Sequence, residues 1–212
     1  ITERLILRPF LETDAADAYE YLHEPMVHCF EDMRADSFAD AMDAVLERAK
    51  DSEYYFAIVL KESGKVIGEI FAYPEGDEHP GGSSNTFSPC WMLNPEYHGK
   101  GYAYEAARAY FDFLFTQKGA RRLYAYTEDY NTASQKLCEK LGMRREGFYL
   151  EFISFVNDEN GNPIYENTYE YAILKKEWKQ NGEEIFAELT TRPKGGSRSM
   201  KERRLPQPTQ SK

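Results

Sequence analysis

The stretch from Ser88 to Arg108, SPCWMLNPEYHGKGYAYEAAR, constrains this chain more than any other. Cys90, Trp91, Met92 and Leu93 form a short apolar run, which predicts a buried strand. Asn94-Pro95 ends it, because proline has no N–H to give to a strand ladder. From Ala103 the apolar residues take helical spacing, at Ala106, Ala107, Tyr110, Phe111 and Leu114. Between strand and helix lies His98-Gly99-Lys100-Gly101-Tyr102-Ala103. Glycine lets the backbone turn tightly and lets a ligand come close. A helix start offers unpaired N–H groups and the positive end of the dipole, so an anion fits there. Two phosphate motifs fail. Tyr104 stands where a dinucleotide fingerprint needs its third glycine, and Gly101 follows Lys100 where a P-loop needs Ser or Thr.

Around this stretch the chain alternates strands and helices. Residues 2–9 predict a first strand. Thr13 or Asp14 can cap a helix to about His23, and Ser37 a second helix with Phe38, Ala41, Met42, Val45 and Leu46 as its apolar stripe. Residues 24–36 between them read as irregular. Strands are predicted over 54–60 and 66–73 around a Glu-Ser-Gly-Lys turn, followed by a loop over 74–85 rich in Gly, Pro and Ser. After the central helix, closed near Gly119, come a strand over 122–127 and a helix opened by Asn131 and closed by Gly142. Strands over 148–156 and 164–174 flank the turn NDENGNP. Residues 183–189 can form a short helix. From Thr191 the chain lacks apolar periodicity and is expected to be disordered.

Composition narrows the function. The 212 residues suit one domain, with residues 1–190 as its extent and 191–212 as a basic tail. That tail carries seven Lys/Arg against Glu202, so the whole-chain charge of −10 leaves −16 on residues 1–191. Such a body repels nucleic acid and attracts cations, or simply keeps the protein soluble. No apolar run is long enough to span a membrane. No secretory leader is legible, and Ile1 is not a natural start. Cys29, Cys90 and Cys138 are scattered without CxxC spacing, which reads as reduced thiols in the cytoplasm. The four histidines make no metal-ligand spacing, so no metal is expected.

Two segments carry a family resemblance. His98 to Ala103 resembles Q/R-x-x-G-x-G/A, the pyrophosphate loop of the GNAT acetyltransferase superfamily, with His98 in place of Gln or Arg. About thirty residues on, NTASQKLCEKLGM resembles the coenzyme-side helix of the same family, N-x-x-S-x-x-L-x-E-K-L-G. The run LNPEYHGKGYAYEA and the opening TERLILRPF look like the branch that includes the ribosomal-protein N-terminal acetyltransferases. The resemblance covers roughly residues 2–178.

It implies acetyl-coenzyme A as co-substrate and a primary amine, a protein N-terminus or a small amine, as acceptor. A backbone N–H near Met92 or Leu93 would polarise the acetyl carbonyl. Gly99, Lys100, Gly101, Tyr102 and Ala103 would hold the pyrophosphate, with His98 either a phosphate partner or a surface residue. Asn131 would open the coenzyme-side helix. Many relatives carry a glutamate early on the central strand, where this chain has Ser88, so the base is open. Glu69 is nearest by topology, or else an ordinary solvent-facing strand residue; Glu151 and Glu170 are further options. Many relatives place a tyrosine beside the leaving sulfur at the position of Cys138. Ser134 is one turn nearer the cofactor end and can donate to a thiolate, or else supports the helix start through a local backbone bond. Cys90 reads as a packed apolar residue rather than a nucleophile.

The expected architecture is a single mixed α/β domain with a central, mostly antiparallel twisted sheet and helices on both faces. The expected function is direct acetyl transfer to an amine, with homodimerisation as a further expectation. The alternative is an acyl-coenzyme-A-binding sensor of the same fold with weak or no catalysis.

Overall fold

The computed structural model describes residues 1–75 and 85–178. The expected helix over 183–189, the basic tail and most of the 74–85 loop lie outside the described residues. The elements run β1 (Leu5–Arg8), α1 (Ala15–Leu22), α2 (Phe38–Lys50), β2 (Tyr55–Leu60), β3 (Val66–Phe71), β4 (Pro74–Glu75), β5 (Thr86–Phe87), β6 (Cys90–Leu93), α3 (Tyr102–Thr116), β7 (Arg122–Glu128), α4 (Thr132–Lys140), β8 (Arg144–Asn157) and β9 (Pro163–Leu174). The connection read as irregular contains a 3-10 helix, His28–Met33.

The strands form two sheets, ordered β1-β2-β3-β6 and β4-β5-β7-β9-β8. Every pairing is antiparallel except β5 with β7. The stretch 86–93 supplies one strand to each sheet. Thr86 and Phe87 pair with Arg122 and Leu123, and then Cys90 to Leu93 pair with β3 instead. Ser88-Pro89 is the switch. Pro89 has no N–H, so the ladder to β7 cannot continue through it. Beyond that point β6 and β7 diverge and leave an open wedge between the sheets.

Two apolar clusters hold this arrangement. One joins α3 and α4 to the sheets through Phe111, Leu114, Leu123, Leu137 and Ile173. The other joins α1 and α2 to the first sheet through Tyr21, Leu22, Val45, Ala57 and Met92. Both helix pairs follow from the predicted apolar stripes. Ser37 caps α2 as expected, its Oγ accepting from Asp40 N at 3.2 Å. Asp14 does not cap α1 with its side chain. Its carboxylate instead accepts from Leu11 N at 2.8 Å and from the Arg8 guanidinium at 2.7 and 2.8 Å. An arginine fork satisfies two carboxylate oxygens at once, which one helix amide cannot do.

Candidate active site

The wedge is walled by β6 and β7 and closed at its mouth by the N-termini of α3 and α4. The register fixes which β6 amides face it. Asn94 N donates to Ile67 O at 2.8 Å, so residue pairs two apart in the β3–β6 ladder are the hydrogen-bonded ones. The Met92 amide therefore points to Glu69 inside the sheet, whereas those of Trp91 and Leu93 point into the wedge. This corrects the expectation for Met92 and leaves Leu93 as the residue whose N–H can meet a carbonyl there.

The glycine loop ends at α3 with Gly101 as N-cap, and no side chain caps the helix. Gly99 and Gly101 have φ of +71° and +83°, a left-handed backbone that disfavours any side chain. The first amides of α3, Tyr102 and Ala103 among them, face outward without a capping side chain. Lys100 is exposed, its ammonium 5.1 Å from the Tyr97 ring centroid. His98 is otherwise engaged: its Nε2 lies 2.9 Å from the Leu93 carbonyl oxygen. The exposed imidazole therefore ties the loop back to β6; the sequence offered it as a phosphate partner or a surface residue.

Sequence reasoning missed Arg4. Its Nη1 donates to Lys100 O at 3.0 Å, its Nε to Glu105 at 2.6 Å, and its guanidinium sits 4.4 Å over the Tyr102 ring. Arg4 thus links the entry to β1 with the end of the loop and the first turn of α3. No local pattern joins residues this far apart in sequence, so nothing near Arg4 signalled the contact.

At α4, Asn131 Oδ1 accepts from Ser134 N at 3.2 Å, the expected cap. The Ser134 hydroxyl makes no local backbone bond. Its Oγ accepts from Trp91 Nε1 at 3.2 Å, across from β6 to α4, and its own proton remains available. Cys138 is fully buried in the core, and burial pushes its thiol up to about 12.

Glu69 departs most from expectation. It is 0% exposed, not solvent-facing. Its carboxylate accepts from Tyr55 Oη at 2.7 Å, Tyr21 Oη at 3.0 Å and Arg48 Nη2 at 3.2 Å. Burial, then the Glu69 charge, pushes the Tyr21 and Tyr55 hydroxyls well up. A carboxylate closed in by a guanidinium and two phenols is a structural counter-ion without access to an amine. The two further options, Glu151 and Glu170, are set on the late strands β8 and β9. Glu151 sits in a β8 bulge with φ of +46°, and Glu170 accepts from Arg122 at 3.1 Å and Tyr149 Oη at 2.7 Å.

The family described as "Acetyltransferase (GNAT) domain" matches residues 4–144. The chain belongs to the GNAT acetyltransferases. It is similar to the uncharacterized N-acetyltransferase YnaD of Bacillus subtilis, at 33% identity over 84% of this chain and 97% of that one. A GNAT-family acetyltransferase structure from Bacillus anthracis matches at 29% identity and TM-score 0.71, covering 84% of this chain and 98% of that one. The spermidine/spermine N-acetyltransferase SpeG of Vibrio cholerae shares the fold at 19% identity and TM-score 0.62, over 84% and 98% of the two chains. In GNAT acetyltransferases acetyl-coenzyme A is the co-substrate. Among the described residues, no group of three or more His, Cys, Asp or Glu is disposed to hold a metal ion. No described helix is long and apolar enough to cross a membrane.

Proposed function

We propose that this GNAT N-acetyltransferase moves acetyl from acetyl-coenzyme A directly to a primary amine, a protein N-terminus or a small amine. One observation carries the reading. The 86–93 stretch leaves one sheet for the other at Pro89, and the wedge it opens lies beneath two helix N-termini. The outward amides at Gly101–Ala103 suit a pyrophosphate, with Gly99, Lys100 and Arg4 shaping the loop. The Leu93 amide suits the acetyl carbonyl oxygen, where negative charge grows during attack.

The acceptor enters as an ammonium ion and loses one proton to a base. Its nitrogen then bonds to the acetyl carbon as the C–S bond breaks. Its second departing proton balances the thiolate. The proton donor to that thiolate in this reading is the hydroxyl of Ser134, whose Oγ accepts from Trp91 Nε1 of β6. Asn131 holds the start of α4 in place for it.

The run LNPEYHGKGYAYEA supports a place beside the ribosomal-protein N-terminal acetyltransferases. The SpeG likeness adds polyamines to the acceptors worth assaying. Free Cys29, Cys90 and Cys138 support a reducing compartment, the cytoplasm. Exposed Phe148, Leu150, Phe152, Ile164 and Tyr165 along the β8–β9 hairpin support a homodimer through that hairpin. A sensor reading is favoured by the enclosure of Glu69 and the absence of a glutamate at Ser88. Thiol release from acetyl-coenzyme A across a panel of N-terminal peptides, polyamines and simple alkylamines separates the two: a sensor binds the donor and releases no thiol with any amine.

A further inference from the structure

The wedge has two faces. Trp91 and Ser134 meet on the α3/α4 face. On the other face, β7 turns Glu128 away from the core residues Leu123 and Ala125, toward Cys29 of the 3-10 helix His28–Met33. Glu128 is 5% exposed, and Asn131 Nδ2 donates to its Oε2 at 3.3 Å. Burial, then Glu128, with which it hydrogen-bonds, pushes the Cys29 thiol well up. The charge of Glu128 also reaches Cys90 on the opposite wall. On β9, Glu166 is 6% exposed, contacted by His28 Nδ1 and by Tyr130 Oη at 3.3 Å. Among the described residues, no Lys or Arg pairs with either carboxylate. Buried carboxylates ordinarily have such a partner, because removing a charge from water costs several kcal/mol.

A third group sits between them. Thr168 is the cross-strand partner of Glu128 and two residues from Glu166 on β9, so all three share one face. Thr168 is 3% exposed, and its Oγ1 has no hydrogen-bond partner among the described residues. A buried hydroxyl unpartnered among the described residues, flanked by two carboxylates of which only Glu166 meets an ionisable side chain, His28, describes a seat that a three-proton donor fills. A primary ammonium has three N–H groups in tetrahedral array and one positive charge, which answers all three.

We propose that Glu128, Glu166 and Thr168 seat the acceptor's ammonium group, and that Glu128 accepts the proton the nitrogen must lose. This rests on the acetyltransferase reading and assigns it the base that Glu69 cannot be. Glu128 is the member on β7, and Asn131 ties it to the helix carrying Ser134. The proton passes from the ammonium nitrogen to a Glu128 carboxylate oxygen, leaving a neutral amine whose lone pair points at the wedge. His28, half exposed, orients Glu166 from the outside.

The test is calorimetric titration of the full chain with n-hexylamine and 1,5-diaminopentane, with n-hexanol as uncharged control, with and without coenzyme A. Wild type should bind both ammonium probes and bind hexanol about tenfold more weakly or not at all. Glu128→Gln and Glu166→Gln should each weaken the ammonium probes about tenfold, and Thr168→Val, which keeps the shape and loses only the hydroxyl, about threefold. Acetyl-coenzyme A affinity should be unchanged in all three, and Tm should hold or rise, since an uncompensated buried charge is removed. With any turned-over amine, Glu128→Gln should also lower kcat, whereas Thr168→Val should chiefly raise KM. Wild-type ammonium affinity in a folded Glu128→Gln or Thr168→Val protein overturns the proposal, as does equal binding of hexanol. Failure of wild type to bind acetyl-coenzyme A would count against the acetyltransferase reading instead, and the titration without coenzyme A would still decide the seat.

Discussion

Gly101 is the residue on which the donor site turns. Its φ of +83° and the Arg4 Nη2 atom, 3.4 Å from where a Cβ would stand, leave a side chain both strained and crowded. Gly101→Val should therefore weaken acetyl-coenzyme A binding about tenfold or more while the fold survives, as calorimetry and circular dichroism would show. Wild-type affinity in the folded variant would remove the loop from the donor site. Ser134→Ala should lower kcat with little change in donor affinity, because in the proposed transfer its hydroxyl donates to the leaving thiolate. Cys138→Ala should act mainly on stability, since the thiol is packed in the core. The opposite pattern in steady-state kinetics would place the donor one turn along α4. At this scale the sequence was informative where a role rests on neighbours in the chain: Gly99, Gly101, Asn131 and Ser134 lie in local motifs. It was silent where a role needs a distant partner. Arg4 on Lys100, His98 on the Leu93 carbonyl and Thr168 opposite Glu128 are all products of tertiary register.

Between elements, the buried Arg48–Glu69 pair fastens α2 to β3, and Tyr21 brings in α1. Removing one partner leaves an uncompensated charge, so Glu69→Ala should cost about 3–5 kcal/mol in urea unfolding. A variant that keeps full stability but loses kcat would restore Glu69 as a base and contradict its structural role. The Cys138 thiol sets a pH effect of known sign. Its value is raised from the ordinary 9.0 to about 12, so the unfolded chain ionises first. Its contribution to stability is complete below pH 9.0 and is lost as pH rises toward about 12. Cys138→Ala should flatten the alkaline fall in the urea midpoint; an unchanged slope would show that other groups govern it. Most elements were legible because each follows from a cap and an apolar stripe. The exceptions have physical causes. The two-residue strands β4 and β5 are too short to show alternation. The carboxylate of Asp14 is taken by Arg8. Glu69 sits on a strand buried on both faces, so its burial is invisible to a period-two pattern.

As a whole the molecule is two sheets held apart by one proline, acidic over residues 1–191 and apolar along one hairpin. The charge should draw cationic acceptors from a distance, so kcat/KM for a polyamine should fall as salt shortens the Debye length to roughly 3 Å at 1 M. A neutral acceptor that turns over best, with no salt effect, would contradict this. The hairpin predicts a dimer in sedimentation velocity, reduced to monomer by Leu150→Lys with Phe152→Lys; an unchanged monomer would leave that hairpin unexplained. Direct transfer across the wedge is the central claim, and initial-rate kinetics with both substrates varied tests it most directly. Double-reciprocal lines should intersect, with thiol and acetylated amine released in equal amounts and only when donor and amine are both present. Parallel lines with an acetylated protein intermediate, or thiol release without acetylated amine, would contradict it.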